Sequence, residues 1–186
     1  MPGFEFFGDE ERKEVNEVLE TGILMRYGFD GPRKGIWKSK ELEAAVSNVF
    51  GCAHAQLTSS GTAALTTAMA ALGIGVGDEV IMPSFTFVAS FEAILSIGAV
   101  PVLVDVNRQD WAIDVSLIEA AITPRTKAIM VVHYCGYPCD MDAILKIARK
   151  HKVKVIEDVS HAHGGLYKGR KVGTFGDIAA MSLMAG

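Results

Sequence analysis

Short apolar segments alternate with helical segments from residue 55 to residue 184, and this alternation limits the folds that the chain can adopt. Six segments have strand character: AQLT (55–58), EVIMP (79–83), VPVLVDV (100–106), KAIMVVHY (127–134), KVIEDV (154–159) and IAAMSLM (178–184). Four of the five connections between them are helical runs of ten to thirteen residues. The pattern predicts βαβ units, and therefore an α/β fold with a three-layer, mainly parallel sheet flanked by helices.

The last connection is different from the others. Between Val159 and Ile178 the segment SHAHGGLYKGRKVGTFGD has no helical period, and its glycines indicate turns. The part YKGRKVG predicts a small hairpin that leads directly into the final strand. We therefore expect the final strand to run antiparallel to its neighbours, which makes the predicted sheet mixed.

The first fifty residues have a separate character. DEERKEVNEVLETG predicts a polar helix over 9–22, which ends on a glycine. The glycine-rich basic segment RYGFDGPRKG predicts a loop, and Ser39 is the expected cap of a second helix that ends at Gly51. The chain is accordingly divided into an N-terminal helical segment with a glycine-rich loop (1–50) and an α/β domain (51–186).

Composition excludes several classes of protein. The formal net charge is −4 and 49% of residues are hydrophobic, so there is no basic stripe of the kind that binds nucleic acid. The longest apolar stretches are near eight residues, too short for a membrane-spanning helix. Three cysteines form no disulfide framework, and the N-terminus lacks the pattern of a signal peptide. A reducing cytoplasm is the expected compartment.

The turn after the first predicted strand is a candidate anion site. Thr58-Ser59-Ser60-Gly61-Thr62 leads directly into a helix. The first amides of a helix have no intrahelical partner, and the helix dipole favours a negative group there. A phosphate is the natural occupant. The alternative is ordinary capping of the helix by a serine or threonine hydroxyl.

Two further positions follow strands at the same predicted edge of the sheet, where ligands of such folds bind. Asp158 ends the fifth strand, and its neighbour Glu157 must point to the opposite face, so the two cannot be the paired carboxylates of a glycosidase. Phe85 and Phe87 follow the second strand and could stack on a flat ligand. The alternatives are a cap or turn role for the aspartate and a core role for the aromatics.

A metal site is not expected. His161 and His163 share one face if the chain is extended, and Cys135 and Cys139 lie earlier in the sequence. The C-x₃-C spacing is not that of a zinc knuckle, and no second pair completes a tetrahedral set. Arg26, Arg33 and Lys34, together with glycines 28, 31 and 35, form a second candidate anion-binding loop, but the preferred interpretation is a solvated basic loop.

Taken together, these segments resemble the DegT/StrS family of fold-type-I pyridoxal-phosphate aminotransferases over nearly the whole chain. The matching pieces are SSGTAAL (59–65), GDEVIMPSFTFVAS (77–90), GAVPVLVDV (98–106), TPRTKAIMVVHYCGYPCDMDAI (123–144) and IEDVSHAHGGLYKGRKVGTFGDIAAMSL (156–183). Their order and spacing are kept across a hundred residues, so the set is specific where each piece alone is weak. The resemblance implies pyridoxal 5'-phosphate as cofactor, and it implies that residues 51–186 are an incomplete cofactor-binding large domain.

The resemblance also implies cofactor-binding residues. Gly61, Thr62 and Ala63 match the turn that holds the phosphate, and Ser182 matches a serine that contacts it. In the family, the Schiff-base lysine lies five residues after this serine. Five residues past Ser182 is the position immediately after Gly186, so no residue of the chain is assigned as the catalytic lysine and a truncated sequence is expected.

Three residues are implied around the cofactor ring. Asp158 matches the partner of the ring nitrogen, which fits the need of this cofactor for a carboxylate at that atom. Phe87 matches the aromatic residue that stacks on the ring. His161 stands where the family often has glutamine, facing the ring hydroxyl, and an imidazole can donate a hydrogen bond to that oxygen.

The implied activity is transfer of an amino group from an amino-acid donor to the keto group of a sugar nucleotide or of a cyclitol such as an inosose. A homodimer is implied by the family alone. Two alternatives stay open at this point. Relatives with histidine in place of the lysine are deoxysugar dehydratases, and a family-like domain can also serve as a non-catalytic regulatory or binding module.

Overall fold

The computed structural model describes residues 4–184, which form two compact units. The first unit contains residues 4–57 and also Met184, and the second contains Thr58–Leu183. None of the helices formed by residues 4–184 has the length and hydrophobicity of a membrane-spanning segment.

The first unit is helical. A 3₁₀ turn (Phe4–Phe6) precedes α1 (Asp9–Thr21), and α2 (Asp30–Arg33) and α3 (Lys38–Phe50) follow. The predicted helices are confirmed, and both end at a glycine with positive φ, Gly22 and Gly51. Such a residue terminates a helix at little steric cost because glycine has no Cβ.

The predicted cap at Ser39 is wrong, since α3 begins at Lys38 and its N-cap is Trp37. The Glu41 carboxylate accepts a hydrogen bond from the Trp37 amide at 3.2 Å. A side chain inside the helix therefore satisfies the backbone N–H group of the N-cap residue. Ser39 therefore lies within the first turn.

The second unit is a parallel sheet covered by helices on both faces. Its strands are β1 (Glu79–Pro83), β2 (Val100–Val104), β3 (Thr126–Val132), β4 (Lys154–Asp158) and β7 (Ile178–Ala180), in the spatial order β2-β1-β3-β4-β7. The helices are α4 (Gly61–Ala71), α5 (Val88–Ser96), α6 (Val115–Ala121) and α7 (Met141–His151). A second 3₁₀ turn covers Tyr134–Gly136, and β5 (Leu166–Tyr167) and β6 (Arg170–Lys171) form the predicted hairpin.

Alternation along the strands divides the core in two. Val80 and Met82 pack with side chains of α4 and α5, such as Met69 and Ile94, on one face. On the other face Ile81 packs against side chains of α6 and α7. Successive strand residues point to opposite sides of a sheet, so the central strands, which are buried on both faces, are mostly apolar and carry their polar residues near the ends. The predicted three-layer α/β architecture is confirmed.

Two strand predictions are wrong. AQLT (55–58) is not a strand, because the Leu57 amide donates to the Glu43 carboxylate at 2.8 Å instead of to a neighbouring strand. The final strand β7 runs parallel to β4, with Ile178 beside Ile156 and Ala180 beside Asp158. The expected antiparallel direction fails because the chain returns after the hairpin to the start of β4 before β7 begins.

Candidate active site

Asp158 lies at the carboxyl end of β4, on the face of the sheet that α4 and α5 cover. Its side chain is nearly buried and accepts two hydrogen bonds, from the Ser90 hydroxyl at 3.2 Å and from the Ser160 amide at 3.0 Å. Each carboxylate oxygen therefore has one partner and retains capacity for another. A group placed above the strand end can meet an oriented carboxylate.

Ser90 is a member of this site that sequence analysis did not identify. It lies on α5, is 1% exposed, and its oxygen is 3.1 Å from Thr86 Oγ1. Because the Ser90 proton points to Asp158, Thr86 is the donor in the second contact. The available signal was a serine on the apolar face of the predicted helix TFVASFEAILSIG, where a buried hydroxyl requires a partner.

The predicted anion turn is present at the start of α4. Ser60 is the N-cap, and its hydroxyl accepts a hydrogen bond from the Ala63 amide at 3.1 Å. Within residues 4–184, the amides of Gly61 and Thr62 and the Thr62 hydroxyl have no hydrogen-bond partner. Capping therefore uses one of the three first amides, and two remain for an anion.

Ser182 approaches this turn closely. A Cβ atom added to Gly61 would lie 2.8 Å from the Ser182 Cβ atom and 3.2 Å from its Cα atom, closer than real side chains come. Only glycine fits there without displacement. The Ser182 amide donates to the Ser160 hydroxyl at 3.0 Å, and the Ser160 amide donates to Asp158. Ser160 thus links two predicted residues, Ser182 and Asp158, and Ser182 in turn lies against the third, Gly61.

Aromatic side chains follow the ends of the strands. Phe85 lies 5.0 Å from Tyr134 and 5.1 Å from Trp111, and Tyr134 lies 5.3 Å from His161 (ring centroids). His161 is exposed at the end of this row. Phe87, the N-cap residue of α5, has a side chain that is 61% exposed, so it is not a core residue of the chain.

The residues considered for a metal are not brought together. Cys139 is buried, its thiol donates to the Val132 carbonyl at 3.3 Å, and burial raises its pKa to about 12. Cys135 is exposed. No cluster of three or more histidine, cysteine, aspartate or glutamate side chains able to hold a metal occurs in the part of the chain that the structure describes.

The basic loop of the first unit has internal partners for its arginines. Arg33 is buried, donates to the carbonyl of Gly28 at 3.0 Å and also contacts the carbonyl of Met25. Arg26 forms an ion pair with Glu43 at 2.6 Å. Both guanidinium groups thus already bind acceptors of the first unit, namely loop carbonyls and a carboxylate of α3.

Comparison with known proteins places these features in a family. The chain is 51% identical over 145 residues to UDP-N-acetyl-3-dehydro-alpha-D-glucosamine 3-aminotransferase of Acidithiobacillus ferrooxidans, covering 78% of this chain and 39% of that protein. It is 43% identical over 170 residues to L-glutamine:2-deoxy-scyllo-inosose aminotransferase of Micromonospora echinospora, covering 91% and 40%. The chain therefore spans about two fifths of the length of these relatives.

The fold also resembles that of a solved structure, of which the chain again spans less than half. The crystal structure of 3-amino-5-hydroxybenzoic acid synthase superposes with a TM-score of 0.87 at 39% identity, covering 95% of this chain and 44% of that one. The model of the DegT/DnrJ/EryC1/StrS aminotransferase family matches residues 6–186. The chain belongs to the DegT/DnrJ/EryC1/StrS aminotransferase family.

Proposed function

We propose that the chain forms the cofactor-binding part of a pyridoxal-phosphate-dependent aminotransferase, in which residues 51–186 contribute to the large domain. The observation that carries the proposal is the convergence of an oriented carboxylate, Asp158, and a turn with unpaired amides, Gly61 and Thr62, at one edge of the sheet. A ligand with a basic ring nitrogen and a phosphate needs both features.

The residues present fit such a cofactor. The Gly61 and Thr62 amides and the Thr62 hydroxyl can donate to phosphate oxygens, and the dipole of the eleven-residue helix α4 adds a favourable field. Ser182 lies against Gly61 and supplies a further hydroxyl. The Ala63 amide is engaged by Ser60, so Ala63 contributes through the shape of the turn more than through its N–H group.

Each residue near the ring has a chemical role. When bound, pyridoxal phosphate supplies an electron sink that stabilises negative charge on the substrate carbon. Asp158, fixed by Ser90 and Ser160, holds a proton on the ring nitrogen. Phe87 presents an exposed ring for stacking, and His161 can donate to the ring hydroxyl. Together these residues bind and orient the cofactor ring and keep its nitrogen protonated.

The proposed acceptor is the keto group of a sugar nucleotide or a cyclitol, and the proposed donor is an amino acid. Support comes from the relatives, which are named as aminotransferases of a sugar nucleotide and of an inosose. A homodimer and a cytoplasmic location complete the proposal. The three cysteines are free thiols, as expected in a reducing compartment.

The test uses a full-length protein that contains this chain. We expect it to bind pyridoxal phosphate with a visible absorbance band, and glutamine or glutamate to convert that band to the pyridoxamine form. Binding without any response to amino donors, combined with loss of water from a deoxysugar substrate, would replace the proposal with a dehydratase. Absence of binding would leave a non-catalytic module.

A further inference from the structure

Glu157 is a fully buried carboxylate that the proposed chemistry does not use. It precedes Asp158 on β4 and points to the opposite face of the sheet, 0% exposed. Its two oxygens accept four hydrogen bonds, from His133 Nε2 at 3.2 Å and from the amides of Gly173 at 2.7 Å, Phe175 at 2.7 Å and Gly176 at 2.6 Å. These four donors use all of the roughly four lone-pair sites that an ionised carboxylate offers.

The contacts favour an ionised Glu157. Burial raises the pKa of this carboxyl, but the hydrogen bonds from His133 and from the Gly176 and Gly173 amides outweigh burial and lower the pKa below its usual value. His133 Nδ1 accepts from the Cys139 amide at 3.1 Å, so the ring proton lies on Nε2 and faces Glu157. A charged acceptor makes each of these hydrogen bonds stronger than a neutral one does.

The three amides belong to the loop that leads into β7. In this loop a Cβ on Gly176 would lie 2.6 Å from the Val155 carbonyl oxygen, so the loop is pressed against the start of β4. The Asp177 amide then donates to the same carbonyl at 2.8 Å, and the Val155 amide donates to the Asp177 carboxylate at 2.9 Å. β7 begins at the next residue, Ile178.

We propose that Glu157 is a positioning residue that sets the register of β7 and thereby places Ser182 at the anion turn. Ser182 follows β7 by two residues and lies against Gly61. A shift of β7 by one residue would move Ser182 by about 3.3 Å and reverse the faces of the strand. Two adjacent acids of one strand thus serve the two ends of one ligand, Asp158 directly and Glu157 through the backbone. The inference rests on the proposed function.

The experiment compares affinities for pyridoxal phosphate and for pyridoxal, which lacks the phosphate. In the full-length protein, Glu157→Gln removes the charge and turns an amide group toward N–H donors. We expect affinity for pyridoxal phosphate to fall about tenfold, the scale expected when a buried hydrogen-bond group loses its partner. Affinity for pyridoxal should stay within about twofold of the parent, because Asp158 keeps its own hydrogen bonds from Ser90 and from the Ser160 amide.

Glu79→Gln is the matched control. Glu79 is also a buried strand glutamate, bound by Thr123, Arg125 and Thr126 at the amino end of β1, far along the sheet from the anion turn. Its replacement should destabilise the protein without changing the ratio of the two affinities. An equal ratio in the two variants would overturn the inference.

A hydrogen-exchange measurement and a second variant keep the possible outcomes distinct. In cofactor-free protein, Glu157→Gln should accelerate hydrogen exchange at the amides of Gly173, Phe175 and Gly176, and Glu79→Gln should not. Unchanged exchange there would also refute the role of Glu157, even if the parent binds no pyridoxal phosphate and the proposed function fails. If Glu157→Gln does not fold, Glu157→Asp retracts the carboxylate by one methylene and should give the same selective loss, and an unchanged ratio in that variant would equally overturn the inference.

Discussion

At the residue scale, the orientation of Asp158 depends on a short chain of hydroxyl groups. Thr86 donates to Ser90, and Ser90 donates to Asp158 at 3.2 Å, all close to the start of α5. A carboxylate that is held by fixed donors needs no reorientation when a ligand nitrogen arrives. Ser90 accordingly has a place in the site although it is not expected to touch the cofactor.

Replacing Asp158 with asparagine should lower the rate of the amino-donor half-reaction by at least about 10²-fold, the usual scale for a positioned proton-transfer group. The reason is that an amide cannot hold a proton on the ring nitrogen as a carboxylate does. Single-turnover absorbance measurements on the full-length protein give this rate. Asp105→Asn is the control, since Asp105 also follows a strand at this edge but is exposed, and its carboxylate accepts hydrogen bonds from the Ser84 hydroxyl and the Val106 amide. Near-normal turnover in Asp158→Asn would remove Asp158 from the site.

Replacing Ser90 with alanine should lower the free energy of unfolding by roughly 1.5–3 kcal/mol, because a hydrogen bond to a buried charged group is lost. Urea denaturation measures the difference. Ser96→Ala is the matched control on the same helix, since the Ser96 hydroxyl is exposed and bonds to the Ala93 carbonyl and Thr66. Equal effects of the two substitutions would show that the Ser90–Asp158 bond contributes little.

At the element scale, the site forms where the start of α4 meets the chain just beyond β7. The two segments come so close that Gly61 has no room for a side chain beside Ser182. Close approach brings the first amides of the helix and the serine hydroxyl to the same place. The glycine is therefore required by packing between elements, since its own φ is not in the left-handed region.

The change Gly61→Ala should destabilise the protein by about 1–3 kcal/mol, the usual cost of overpacking. It should also weaken binding of pyridoxal phosphate, because Ser182 must move away from the turn. Gly75→Ala is the control, since an added Cβ there meets nothing within 4 Å, and its effect should stay within about 0.5 kcal/mol. Calorimetric titration and urea denaturation give the two quantities, and a Gly61 variant that matches the Gly75 variant in both would contradict the packing argument.

Hydrophobic period and glycine punctuation were sufficient to predict most elements from the sequence. Five of the six predicted strands are present, because each is rich in apolar residues and pairs with another strand of the described chain. The failures have local causes that no period records. AQLT (55–58) does not pair as a strand, because the Leu57 amide donates to the Glu43 carboxylate. The direction of β7 depends on the loop whose amides bind Glu157. The roles of Ser90 and Glu157 required three-dimensional contacts between residues far apart in sequence.

At the scale of the whole molecule, two buried glutamates fasten the sheet to its loops. Hydrogen bonds from Thr123 and Arg125 lower the pKa of Glu79 against the effect of burial. Burial raises the pKa of Glu157, but the hydrogen bonds from His133 and the loop amides lower it below its usual value. A carboxyl with a lower pKa in the folded state stabilises the protein above its unfolded pKa, and this contribution is lost as the pH falls through the folded pKa.

The acid dependence of stability should therefore decrease in Glu79→Gln. We expect the parent to exceed this variant in free energy of unfolding at pH 7, and the difference to shrink as the pH falls below about 4.3, the unfolded pKa of a glutamate. Urea denaturation from pH 7 to pH 3 measures it. Glu92→Gln, an exposed substitution on α5, is the control. A difference between parent and Glu79→Gln that stays constant over this range would refute the linkage.

The strand order has a consequence for synthesis of the chain on the ribosome. β1 lies between β2 and β3, and about 40 residues separate the end of β1 from the start of β3. At 5–20 residues per second, β3 begins to emerge roughly 2–9 s after β1 is complete. During that interval the edge of β1 that β3 will cover has no partner strand. Until the third strand appears, this unpaired edge is a template for aggregation and a site for chaperone binding in the nascent protein.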